Sequence, residues 1–473
     1  MPRLYLSAAH KSSGKTTLAI GLCAALARRG YRVRPFKKGP DYIDPMWLSA
    51  AAGQACLNLD FNTMSPEEIC GALETRVADQ DIALVEGNKG LHDGVDLEGG
   101  DSNAALARLL RTPVVLVIDC RGTTRGVAPL LLGYQSFDPL TTIAGVIFNQ
   151  TGGARHVHKL RAAVEHYTDL PVLGAVGRNP ALAITQRHLG LVPTVEAGIA
   201  AERVGRLAQV VESSVDIDGL LRLAGTARAS CASPAVCESA PLSPGLTVRL
   251  GVVRDSAFGF HYADDLDALR AAGAELVFID ALHDRRLPAL DGLFIAGGFP
   301  ETHLSELQAN VELRRAIRDF VAQDRPVYAE CGGLMYLCRT IEWRGRRAQM
   351  VGALQADCVV QDTPVGKGYV RLNETPEALW GAPGSERSAI IRAHEFHYSR
   401  LVNVDPETRY AYRVLRGSGI DGRHDGIVQR KLLASYAHLR DTASNRWTRR
   451  FVAYLRAERM RRFGMPTALR QSV

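Results

Sequence analysis

The chain has 473 residues, 46% apolar and 23% charged, with a formal net charge of +7 and nine cysteines. Such a length exceeds one ordinary core, so two or three domains are expected, and the composition excludes a disordered or fibrous chain. No apolar run reaches the roughly 18 residues of a membrane span, and the scattered cysteines have neither zinc-site pairing nor disulfide-scaffold density.

Residues 3–8, RLYLSA, read as a strand that runs into HKSSGKTT at 10–17. The opening MPRLYLSAAH leaves no room for a signal peptide, so the cytoplasm is the expected location. A strand, a loop ending in Gly-Lys-Thr and a helix, TTLAIGLCAALARRG, form the context of a phosphate-binding loop. Backbone amides and the helix's positive end would hold phosphates there, Lys15 reaching the outer ones and Thr16 meeting Mg²⁺. Ala9 stands where the standard spacing has its first glycine. The backbone donors survive that loss if φ stays negative or the loop bends differently.

Further strands are expected at 31–36, 82–87, 113–120, 143–149 and 171–177, with SNAALARLL as a crossover helix. The pattern is a parallel sheet covered on both faces. Ligands of such sheets lie beyond the carboxyl ends of the strands. Two acidic turns fall at such ends. KKGPDYIDP (37–45) carries Lys37, Lys38, Asp41 and Asp44, and EGNKGLHDG (86–94) carries Glu86 and Asp93. Carboxylates there suit Mg²⁺, which prefers hard oxygen ligands; helix capping is the competing explanation.

Residues 1–226 are expected as one α/β domain, 227–246 as an Ala/Ser/Pro-rich linker, 247–445 as a second α/β domain and 446–473 as a basic helical tail. In the tail, an amphipathic helix packing Trp447, Phe451, Tyr454 and Leu455 is favoured over a nucleic-acid or membrane patch. In the second domain, DGLFIAGGFPE (291–301) and RPVYAECGGLMYL (325–337) each read as strand, glycine turn and helix. Cys331 falls at the strand–helix junction, as in a nucleophile elbow, where the helix start would lower the thiol pKa. Gly332 permits close backbone approach, and amides around Gly297 and Gly298 would form an oxyanion site. His438, His394 and His397 compete as the base.

These motifs, in this order, resemble the cobyrinate a,c-diamide synthases, ATP- and glutamine-dependent amidases of corrinoid biosynthesis. The resemblance rests on GKTT, KGPDYIDP, EGNKGLHDG, FDP with IAGVIFN, RHLGLVP, IAGGFPE, AECGGLMYL, HEFHYS and ASYAHL. It implies a P-loop, dethiobiotin synthetase-like domain followed by a class I glutamine amidotransferase-like domain. Ser13, Gly14, Lys15, Thr16 and Thr17 would serve ATP, with Asn149 near the base. Thr16, Asp44 and Glu86 would surround Mg²⁺, and Asp41, Tyr42, Asp44, Glu86 and Asp93 would shape the pocket for a tetrapyrrole polycarboxylate. Cys331 becomes the glutaminase nucleophile and His438 its base. ATP would convert acetate side chains to acyl phosphates, and ammonia released from L-glutamine would travel within the protein to displace phosphate. The family reading admits a homodimer and requires neither nucleic acid nor membrane.

The match departs in places. Leu439 and Arg440 follow His438 where wider triads place a glutamate two residues on, and Glu395 is held as a loose candidate for orienting a partner. Leu48 replaces a usual histidine, Lys11 and Ser12 replace Ser and Gly, and Lys38 and Lys89 replace apolar residues. These changes gather near nucleotide and macrocycle, so amidation of sirohaem or sirohydrochlorin stays open beside cobyrinate or hydrogenobyrinate. A cobyric acid synthase-like amidase is a third reading.

Overall fold

The computed structural model describes residues 1–179, 186–187, 190–191, 200–229, 246–381 and 389–463. Most of the expected linker and part of RHLGLVP lie outside them. The chain divides into two compact units, Met1–Cys237 and Glu238–Val473. Among the described residues no helix is long and apolar enough to cross a membrane.

In the first unit seven parallel strands form one sheet: β1 (Arg3–Ala8), β2 (Val33–Lys38), β3 (Leu57–Leu59), β4 (Ile82–Glu86), β5 (Val114–Asp119), β6 (Ile143–Thr151) and β7 (Val172–Gly177). Their order is β3-β2-β4-β1-β5-β6-β7. Runs such as VVLVID are buried almost throughout, as strands covered on both faces must be. Because β1 lies between β4 and β5, the loop after β1 opens where the chain's course across the sheet changes direction, the usual position for a ligand.

The second strand starts and ends two residues later than its sequence pattern suggests. It extends through Lys38 because Lys37 pairs with Glu86 of β4 and with Asn58 of β3, and the turn begins at Gly39, whose φ of 85° favours glycine. Lys37 and Lys38 are therefore buried strand residues, not members of the turn.

The second unit has a nine-stranded mixed sheet. Five parallel strands, Ala274–Ile279, Val248–Val253, Gly292–Ile295, Val327–Glu330 and Leu432–Ser435, adjoin in that order. Four antiparallel strands follow: His424–Gln429, Arg409–Arg416, Gly366–Glu374 and Ile391–His397. The helix Trp447–Arg462 covers one face, burying Trp447, Phe451 and Leu455 against Tyr328, Phe294 and Trp380, with Tyr454 partly buried beside them. Arg459 and Arg462 pair with Asp291, and the buried Arg456 donates to the Leu246 and Ala272 carbonyls.

Candidate active sites

The first unit carries a charged cluster beyond the carboxyl ends of β1, β2 and β4. Helix α1 (Lys15–Arg28) begins directly after Gly14, and its N-terminal residues face the acids of the neighbouring turns. The Lys15 ammonium lies 3.0 Å from Glu86 Oε1, and Thr16 Oγ1 donates to the same oxygen at 2.5 Å and lies 3.2 Å from Asp44 Oδ2. Lys37 reaches in from β2, pairing closely with Asp44 and, at 3.1 Å, with Glu86. Burial alone would lower the Lys37 pKa, but Asp44 and Glu86 hold its ammonium charged well above the ordinary lysine range. Asp44, which burial would raise, is held below the usual carboxylate range by Lys37 and Lys15.

The loop keeps its donors by bending differently from a glycine-rich one. Ser12 sits at φ 67° and Gly14 at φ 88°, so a serine occupies the left-handed region, which costs on the order of 1 kcal/mol or more. Ser13 Oγ donates back to the His10 carbonyl at 2.8 Å, fixing the bend. Asn149, at the end of β6, donates to the Ser13 carbonyl at 2.8 Å, and its amide lies 2.0 Å from where a Gly14 Cβ would stand. Gly14, Thr17, Asn149, Gln150, Arg121 and Arg178 line a cavity of about 410 Å³ beside the loop.

The acidic turns divide. Asp44 is in the first turn of α2 (Ile43–Ala52) and faces the cluster. Asp41 Oδ1 accepts from the Ile43 and Asp44 amides, so it caps that helix as well as lying 3.9 Å from Lys37. Burial and the neighbouring Asp44 raise its pKa. Tyr42 is buried at the start of α2, and Leu48 is buried within it. Asp93 is tied locally. It is exposed and closes its own turn by accepting from Gly90 N, while Gly90 packs against the Ala9 carbonyl of the phosphate loop. Glu86 Oε2 is buried without a hydrogen-bond partner among the described residues. With Thr16 Oγ1 and Asp44 it supplies hard oxygens suited to Mg²⁺, which is typically held by one or two carboxylates together with substrate phosphates and water.

The second unit contains the thiol. Cys331 ends the strand Val327–Glu330 at φ 46° and ψ −103°, the strained conformation of a nucleophile elbow, and Gly332–Leu337 follows as a short helix. Burial, and then the Glu301 charge, push the thiol pKa up, against a smaller opposing effect of the Gly332 amide. The lowering that the helix start can give is present through the Gly332 amide, and burial outweighs it. A base must take the proton.

His438, a candidate for that role, docks on the same strand as the thiol. Its backbone N–H donates to the His394 carbonyl at 2.8 Å, while the Cys331 thiol lies 3.9 Å from the Phe396 carbonyl. Histidine and cysteine therefore dock on one strand two residues apart, about 7 Å along it. The glycine turn completes the group: a Gly297 Cβ would stand 2.4 Å from His438 Cε1, and a Gly332 Cβ 2.9 Å from the Gly298 nitrogen.

The rival histidines have other surroundings. His394 stacks on His438 with centroids 4.9 Å apart, and burial holds its pKa well down, so it stays neutral. His397 stacks on Tyr436 with Nδ1 2.8 Å from the Ser399 carbonyl. Glu395 accepts from the Ser418 and Gly419 amides and so fixes a loop, and its Oε2 lies 3.8 Å from His397 Nε2. The carboxylate beside His438 is Glu330, whose Oε2 lies 3.4 Å from Nδ1. It directly precedes the nucleophile, so a search two residues beyond the histidine cannot find it. Lys37 is likewise a cluster member that the turn-based reading left without a role.

Residues 8–191 match the family model for the CobQ/CobB/MinD/ParA nucleotide binding domain, and residues 249–445 that for the CobB/CobQ-like glutamine amidotransferase domain. Similar full-length relatives include the cobyrinate a,c-diamide synthase of Magnetococcus marinus, 44% identical over 94% of this chain and 96% of that protein. Those of Methanosarcina acetivorans (39%, covering 94% and 93%) and Dehalococcoides mccartyi strain CBDB1 (40%, covering 93% and 95%) are further examples.

Proposed function

The chain belongs to the cobyrinate a,c-diamide synthase family, and from that premise we propose that it amidates the a and c acetate carboxylates of cobyrinate or hydrogenobyrinate, using ATP and L-glutamine. The carrying observation is the strained Cys331 turn with His438 docked on the same strand and the Gly297–Gly298 backbone against both.

In this reading His438 takes the Cys331 proton as sulfur attacks the glutamine carboxamide carbon. Backbone amides near Gly298 and Gly332 hold the developing oxyanion. The amine leaves as ammonia with the proton returned by His438, and water cleaves the thioester to glutamate and free thiol. In the first unit an acetate oxygen attacks the γ-phosphorus of ATP, releasing ADP, and ammonia then displaces phosphate from the acyl phosphate.

Lys15, Lys37 and the loop amides neutralise phosphoryl charge, and Asn149 orients the nucleotide base from beside the loop. Thr16, Asp44 and Glu86 would hold Mg²⁺, which supplies charge neutralisation at the phosphates when bound. The buried Glu86 oxygen without a partner supports that assignment. Asp41, Tyr42 and Asp93 would contact the macrocycle at the edge of the same cluster, and the reaction is assigned to the cytoplasm.

The test uses purified protein with ATP, Mg²⁺ and glutamine against cobyrinate, hydrogenobyrinate and sirohydrochlorin, read by mass spectrometry. Amide formation on the corrinoids is expected, and exclusive amidation of sirohydrochlorin would overturn the substrate. Cys331→Ala should abolish glutamine hydrolysis yet form amide from supplied ammonia. Loss of both reactions in a folded variant contradicts the division of labour.

A further inference from the structure

The proposed glutaminase has a nucleophile and a base, but its sequence lacks the acidic residue that usually follows the base two positions on. We propose that Glu330, the residue before the nucleophile, positions His438 by setting its Oε2 against Nδ1 and so leaves Nε2 to receive the Cys331 proton.

Three observations carry this. Glu330 is 3% exposed, and its Oε2 lies 3.4 Å from His438 Nδ1. Its other oxygen is committed elsewhere: Oε1 accepts from the Tyr328 hydroxyl at 2.6 Å and from the Leu439 amide at 2.9 Å. Those two bonds fix the carboxylate plane and leave Oε2 for the ring. The third is the ring's orientation. A Gly297 Cβ would stand nearest Cε1 and then Nε2, while Nδ1 is the ring nitrogen beside Glu330.

The Leu439 bond makes the arrangement reciprocal. The residue after the base is tied to the residue before the nucleophile, which fixes base and nucleophile relative to each other across adjacent strands. The Cys331 amide donates to the Ser435 carbonyl at 2.7 Å, a second tie between the same two segments.

Other nearby carboxylates have different tasks. Asp425 accepts from the Gly426, Tyr436 and Ala437 amides, and Glu395 holds the Ser418–Gly419 turn. The His394 ring also stacks on His438, and burial first, then its His438 and Arg440 neighbours, hold its pKa well down. A neutral stacked ring cannot supply the counter-charge that an imidazolium needs, whereas Glu330 can.

This inference rests on Cys331 and His438 being the glutaminase pair. Its test is Glu330→Gln in the full-length protein. The glutamine oxygen can still accept from Tyr328 and Leu439, so the fold should persist. Its NH₂ group would face Nδ1, making that nitrogen an acceptor and placing the ring proton on Nε2, the wrong tautomer for a base. The expected result is a fall in glutaminase kcat of about 10²–10⁴-fold, as the equivalent change produces in hydrolase triads, with KM for glutamine and thermal unfolding near wild type.

In a His438→Ala background, Glu330→Gln should have no further effect on residual hydrolysis. An equal loss in both backgrounds would mean a merely structural role and overturn the proposal, as would a wild-type kcat for Glu330→Gln. Should Glu330→Gln fail to fold, Tyr328→Phe loosens the carboxylate while leaving it present. A several-fold lower kcat at unchanged KM then supports the proposal, and a wild-type kcat overturns it. Cys331→Ala and His438→Ala run in parallel: if either hydrolyses glutamine normally the parent reading fails, whereas inactivity of both with a normal Glu330→Gln sinks only this inference.

Discussion

Gly297→Ala probes how closely the base is held. An added Cβ would stand 2.4 Å from His438 Cε1 and 3.3 Å from both His438 Nε2 and Phe260 Cδ2. Carbon atoms rest at about 3.5 Å, so the imidazole must withdraw by about 1.1 Å. The imidazole is hemmed in by the His394 ring stacked on its face and by Glu330 3.4 Å from Nδ1. The Gly297 amide survives the substitution, and Gly297 is not among the residues of positive φ, so neither a lost oxyanion donor nor backbone strain confuses the result. A misplacement of roughly 1 Å between reacting groups costs about 10²-fold in rate, and the same is expected for glutaminase kcat here. The assay is glutamate release at saturating glutamine, with ammonia-dependent amide synthesis as the control and expected to be unchanged. Gly297→Ala hydrolysing glutamine at the wild-type rate would refute the placement of His438 as a rigidly held base.

Other predictions concern the first unit, the acid response and the C-terminal helix. Glu86→Gln leaves Lys15 and Lys37 sharing fewer carboxylates; ATP-dependent amidation should fall at least about 10²-fold, while a Mg²⁺ titration shows a higher metal requirement and glutaminase activity is retained. Burial works against the charged form of Asp357, but bonds from Asn403, Arg339 and Thr340 prevail and bring its pKa down to about 2. A depressed carboxylate stabilises the fold above its unfolded pKa and loses that contribution as pH falls through the folded value. With solvent screening of these bonds, Asp357→Asn should cost about 1 kcal/mol at pH 7, and denaturation curves should show the gap to wild type closing between about pH 4 and pH 2. Phe451→Ala removes a fully buried ring packed 4.7 Å from Trp380, and thermal unfolding should report a loss of about 3–5 kcal/mol; a loss under about 1 kcal/mol would contradict an integral C-terminal helix.

The fold was legible where burial acts on both faces of a strand. VVLVID and IALVE announce central parallel strands because no water-facing residue interrupts them. The end of β2 was not legible, because two lysines look like the start of a turn. They are tolerated in the sheet since Lys37 finds Asp44 and Glu86 there. Cys331 could be located from its glycine-flanked strand–helix junction, but its thiol's raised pKa depends on burial and on Glu301, neither of which is local in sequence. His438 could be ranked above its rivals only through the resemblance; in space His394 stacks on it and His397 lies against Tyr436. Glu330 was missed for a related reason. A carboxylate that reaches the base from a neighbouring strand leaves no fixed spacing to the histidine, although Glu-Cys-Gly-Gly as a four-residue unit could have drawn attention to it. The bond by which Asp93 closes its own turn on the Gly90 amide is local geometry that the motif's spacing does not announce.

The most direct measurement follows nitrogen. Wild-type protein is given ATP, Mg²⁺, cobyrinate and [amide-¹⁵N]glutamine in the presence of unlabelled ammonium, and the corrinoid product is analysed by mass spectrometry. The account predicts ¹⁵N in the new carboxamides, with one ATP consumed for each amide formed. Glutamine hydrolysed and ATP spent without labelled carboxamide on the macrocycle would contradict it.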